Sequence, residues 1–214
     1  MDEKGFLREL LLLTDQEVHN HLRDTDQKRD HLLELYLKLV FTLFSAAAGL
    51  EFLNVSWNAT TLVIVNSILG IALLFGEAVY FAMISARKWH AEYVNVHLLI
   101  QAALTTEDLC ISPQAIPKEK RHPFLPSLYT SRSFILVQLC NAGIIMLMGS
   151  LSFKTFQHTI VLLISGLAAI ILFFLNTIRG SQMLKKAESD FWEHPEDCWI
   201  ITGLALKKFH KTGG

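Results

Sequence analysis

The chain has 214 residues, 51% of them hydrophobic and 18% charged, with a net charge of −1. So sparse a charge lies below the roughly 25% usual for soluble domains, and the near-neutral balance excludes the basic surface that nucleic-acid binding needs. Cys110, Cys140 and Cys198 are scattered, which argues against a disulfide framework or a cysteine metal site and for soluble parts facing a reducing compartment.

The opening stretch, MDEKGFLRELLLLTDQEVHNH, carries acids among its first residues and no long apolar run before a small-residue cleavage site, so it does not read as a signal peptide. Leu7, Leu10, Leu11, Val18 and Leu22 recur at near-helical spacing. Thr14-Asp-Gln-Glu17 reads as a capping box, which predicts a short helix ending near Leu13 and a second one starting at Asp15. No Pro or Gly interrupts Asp15 to Ala48, so the second helix is expected to run without a break into the first apolar block.

Four apolar blocks follow, from about Tyr36 to Val55, Thr61 to Ser85, Ser133 to Phe153 and Thr159 to Ile178. Each is long enough to cross a hydrocarbon core of roughly 30 Å as a helix, and continuous apolarity rather than alternation argues against a β-barrel. Seventeen of the nineteen Lys and Arg residues lie before the first block, between the second and third, or after the fourth. By the positive-inside rule both termini and the middle loop are cytosolic. The expected architecture is all-α and integral to the membrane. It comprises cytosolic N-terminal helices over 1–35, a hairpin over 36–85, a cytosolic helix and Pro-rich loop over 86–132, a hairpin over 133–178, and cytosolic helices over 179–214.

The sequons Asn54-Val-Ser56 and Asn58-Ala-Thr60 sit in a turn too short to clear the bilayer and read as turn residues. The second block continues without a breaker past Ser85, with Trp89, Tyr93, Val96 and Ile100 forming an apolar stripe. The stretch from Ser112 to Tyr129 holds four prolines and reads as an irregular loop. The fourth block continues towards Pro195, weakened only by Gly180. Beyond it Trp199, Ile200, Leu204 and Leu206 suggest a final amphipathic helix.

Polar groups inside the apolar blocks are the candidate site. Asn66, Gly70 and Glu77 fall on one face of the second block, and Lys38, Thr42, Ser45 and Gly49 on one face of the first. The third block offers Gln138 and Asn141, and the fourth Ser165, Ala169 and Asn176. Such residues line pores and ion sites or mediate helix packing. Packing is the expectation for the first, third and fourth blocks. Glu77 stays open between pairing with Lys38, sitting protonated in a packed interface, and ringing a pore in an oligomer. No catalytic or cofactor motif is present, so neither an enzyme nor a cofactor is expected. No metal site is expected either: His19 and His21 lie on different helix faces, and His90 and His97 are two turns apart.

The two functional classes that fit are an oligomeric channel or pore-like effector gated by its cytosolic helices, and a membrane anchor or scaffold that recruits a soluble cytosolic partner. Four spans enclose no roomy conduit, so conduction requires a homo-oligomer. Short hairpins prolonged as cytosolic helices (Asp15–Val55, Leu62–Thr105) without an enzyme motif resemble the small membrane subunits of bacterial anti-phage systems. The layout is most similar to the four-span membrane subunit of the Kiwa system. That resemblance is one of architecture over the whole chain. It implies an oligomer in a bacterial inner membrane, with a cytosolic partner, that acts on membrane integrity or senses membrane events.

Overall fold

Long stretches free of Pro and Gly become long helices. In the computed structural model α1 spans Glu3–Phe52, α2 Ala59–Thr106, α3 Arg132–Phe156 and α4 Thr159–Trp192. All four are long and apolar enough to cross a membrane. The structure describes residues 3–53, 57–106, 110–111, 116–125, 132–156, 158–192, 198–202 and 205–209.

The break predicted at Thr14 does not occur, and α1 runs through it. The Thr14 hydroxyl donates to the Leu10 carbonyl at 2.9 Å, the back-bond of a mid-helix Thr rather than an N-cap. Glu17 faces His21 one turn on, at 3.6 Å, rather than reaching back to a cap. The capping signal is overridden because Leu11 and Val18 on either side are buried in one core. A real cap stands at the start of α2, where Asn58 Oδ1 accepts from the Thr61 main-chain N–H at 2.8 Å. Asn58 is thus a helix cap, while the sequon residues 54–56 lie outside the described residues.

The chain divides into two compact units. Residues 1–28, 85–125 and 183–214 form the first, and residues 29–84 and 126–182 the second. In the first unit Leu11 and Val18 of α1 pack with Leu99, Ile100 and Ala103 of α2 and with Ile116, flanked by Phe191 and Trp192. Trp89 departs from the expected apolar stripe and is half-exposed. The Pro-rich segment is held by side chains of α2. Buried Asn95 donates to the His122 carbonyl at 3.0 Å and accepts from the His122 N–H at 2.8 Å. Arg87 donates to the carbonyls of Phe124 and Pro123. Phe124 is fully buried against Phe191, and Arg121 lies over the Trp192 ring at 4.4 Å.

The C-terminal segment is not the expected amphipathic helix. Strands β2 (Cys198–Thr202) and β3 (Ala205–Phe209) pair antiparallel, and β1 (Cys110–Ile111) adds to β2. The aromatic and β-branched run from Trp199 to Thr202 favours a pleated strand over a helix. Among the described residues the helical fold carries one small three-stranded sheet.

In the second unit the helices meet at small residues. A Cβ on Gly180 would lie 2.8 Å from the Tyr80 hydroxyl and 2.9 Å from Ile84, so this glycine permits close approach of α2 and α4 and leaves α4 unbroken. Gly149 of α3 fits against the Ser165 side chain of α4 in the same manner. The outward surface is apolar, with Phe41, Ile71, Leu74, Leu163, Leu167 and Phe174 all well exposed.

Burial pushes the His122 imidazole down to about 4, reinforced by the neighbouring positive Arg87 and by His90. The folded chain therefore takes up this proton less readily than the unfolded one, where His titrates near 6.5. The stability contributed is present above about pH 6.5 and is lost as pH falls towards about 4. The detergent-solubilised chain is expected to lose thermal stability over that window. His122→Phe is expected to flatten that part of the profile, and an unchanged profile would contradict the assignment.

Candidate functional site: a carboxylate shared by two amides

Glu77 lies in the apolar part of α2, where an unpartnered carboxylate is costly. Both of its oxygens are occupied. Asn141 of α3 donates to Oε1 at 2.7 Å and Asn176 of α4 donates to Oε2 at 2.7 Å. Asn141 is 1% exposed and Asn176 2%. The fully buried Tyr36 of α1 donates its phenolic O–H to Asn141 Oδ1, fixing which end of that amide faces Glu77. The Tyr80 hydroxyl donates to the Asn176 main-chain carbonyl at 3.0 Å, so α4 is held at this level twice. Thr177 adds a longer bond of 3.3 Å to Gln138. All four helices thus meet in one chain of hydrogen bonds around a single carboxyl group.

Backbone shape makes room for this chain. A Cβ on Gly76 would collide with the Asn141 side-chain oxygen and would lie 2.7 Å from the Tyr36 hydroxyl. Gly76 therefore lets α1 and α3 close over α2 beside the carboxylate. Nothing in the one-dimensional pattern of α2 marks it out from Gly70, which has open space around its Cβ position.

The sequence candidates separate into two groups. Glu77, Asn141 and Asn176 come together at the network. Asn66 shares their α3-facing side but joins Ser152 of α3 at 3.1 Å, and its own Oδ1 is buried with no partner among the described residues. Gly70 stands apart from the network. Lys38 does not pair with Glu77: its ammonium binds Glu34 one turn earlier at 2.6 Å, and both side chains are well exposed. Lys38, Thr42 and Ser45 are exposed within the single chain. Lys38 and Thr42 line an open groove with Phe41, Phe44, Leu139 and Cys140. Tyr36, Tyr80 and Gly76 were not anticipated. Tyr36 read as the edge of a span, although a tyrosine among leucines at that depth signals a sought hydrogen bond.

In the first unit the histidines come together with acids. Asp15, His19 and His97 converge, His90 faces Asp26 at 3.3 Å, and His21 stacks on Tyr93 at 5.3 Å. Burial raises the pKa of the Glu92 carboxyl, and Lys88 beside it partly offsets this. No protein family, curated protein or solved structure matches the chain.

Replacing Glu77 tests the network. Glu77→Gln keeps an acceptor for Asn141, and Asn176 can turn its amide to receive the new N–H₂, so a small loss of stability is expected. Glu77→Leu strands two buried amides and is expected to cost about 1–3 kcal/mol for each. Thermal unfolding in detergent reads the order, and equal effects of the two substitutions would contradict it.

Proposed function

We propose that the chain is a multi-pass membrane protein with two helical hairpins and cytosolic termini, which holds its first unit at the inner face of a bacterial membrane as an anchor and sensor for a soluble partner. The observation that carries this reading is the occupancy of Glu77. A carboxylate that lined a pore would face water, whereas both oxygens here are taken by amides of the same chain. The second unit buries Gln138, Asn141 and Asn176 and exposes large apolar side chains such as Phe41, Ile71, Leu163 and Phe174, a surface suited to lipid. The distribution of Lys and Arg supports the orientation. Helices α1, α2 and α4 each supply residues to both units, so a partner bound to the first acts on helices that also build the second. Homo-oligomeric assembly and a role in anti-phage defence belong to this proposal through the architectural resemblance alone.

One observation favours a second reading, an oligomeric channel. The face carrying Lys38, Thr42 and Ser45 is polar, lies in an apolar stretch and is exposed within the single chain. Several copies can turn such faces towards a shared axis.

The readings part in a paired experiment on the full-length protein. Affinity purification from its host is expected to yield a soluble partner at fixed stoichiometry, cross-linked to lysines of the first unit such as Lys28, Lys88 or Lys118. Proteoliposomes of the chain alone are expected to hold an ion gradient. Ion flux that Lys38→Ala alters, without a stoichiometric partner, would replace the anchor reading by the channel.

A further inference from the structure

We propose that Asp15, His19 and His97 bind a divalent transition metal of the zinc class, clipping α1 to α2 inside the first unit. Asp15 and His19 are four residues apart on α1, so both side chains leave the helix on one face. His97 reaches them from α2. Each residue offers one ligand atom, and the three lie within 4.8 Å of one another. Ligands at roughly 2.0–2.2 Å around a tetrahedral ion stand about 3.3–3.6 Å apart. Small side-chain rotations therefore suffice, and no backbone has to move.

The donor set fits the ion. Two imidazoles and one carboxylate are borderline ligands that suit Zn²⁺, Co²⁺ or Ni²⁺ better than Mg²⁺ or Ca²⁺, which prefer oxygen alone. The metal-free contacts already hold the rings in place. His97 Nδ1 lies 2.5 Å from Asp15 Oδ1, His19 Nδ1 lies 3.0 Å from the Asp15 main-chain carbonyl, and the two rings meet edge-on at 4.8 Å. Asp15 and His97 are half-buried while His19 is exposed, so the site opens to solvent on one side and water can complete the coordination. His21 takes no part, since its ring is stacked on Tyr93. Metal ions and protons compete for imidazole nitrogens and carboxylate oxygens, so binding weakens in acid.

The pairing that matters is Asp15-x-x-x-His19 together with a histidine from another helix. Comparing histidines along one helix at a time misses it.

The test uses the full chain in detergent, stripped of metal with a chelator and titrated with Zn²⁺ by calorimetry and with Co²⁺ by visible absorption. One equivalent of Zn²⁺ is expected to bind, and Co²⁺ is expected to develop ligand-field bands. His19→Gln, Asp15→Asn and His97→Gln are each expected to weaken binding at least about tenfold, while His21→Gln and His158→Gln bind as the unaltered chain does. Helical content by circular dichroism checks folding. If His97→Gln fails to fold, His19→Gln, at an exposed position, decides the matter. Absence of a stoichiometric equivalent, or binding by His19→Gln equal to that of the unaltered chain, would overturn the proposal.

Discussion

A carboxylate placed among apolar helices has to find donors for its oxygens, because neither lipid nor a leucine side chain provides any. The second unit is arranged around that need. Asn141 and Asn176 bring α3 and α4 to Glu77, Tyr36 brings α1 to Asn141, and Gly76 clears the space in which they meet. Each bond is of ordinary strength, but each partner is buried, so losing one member strands the others. Such a network sets the register of the helices more sharply than apolar packing does, since leucines can slide past one another and amides cannot.

The first unit is held by different means. Its core is built from Leu11, Val18, Leu99 and Ile100, and helix α2 grips an irregular segment through Asn95 and Arg87. Histidines stand at its polar contacts: His97 with Asp15, His90 with Asp26, and His122 driven to neutrality by burial. Through His122 its stability falls as pH drops from about 6.5 towards about 4.

Much of the helical architecture was legible in the sequence, because length, apolarity and the absence of breakers are local properties. The run from Asp15 onward, the continuation of α2 past Ser85 and that of α4 past Ile178 follow from the absence of proline and from glycines that cost little. The errors came where tertiary contacts overrode local signals. Thr14 resembled a cap but lies in a buried stretch of helix, and the C-terminal residues read as a helix face but pair as strands. Polar residues in apolar blocks single out Glu77, Asn141 and Asn176, which the fold brings together. Which helix each would meet depends on rotation and crossing angle, which no single block encodes. For that reason the linear pattern leaves Lys38 open as a partner for Glu77 although it binds Glu34, and only the fold groups Asp15 and His19 with His97.

The central claim is that one continuous hydrogen-bond chain, from Tyr36 through Asn141 to Glu77, joins three helices. A double-mutant cycle of Tyr36→Phe and Glu77→Leu, read by reversible unfolding of the full chain in detergent, measures it most directly. These two side chains communicate through Asn141, so a coupling energy of about 1 kcal/mol or more is expected. Additive effects of the two substitutions would mean that the chain of bonds does not exist as described.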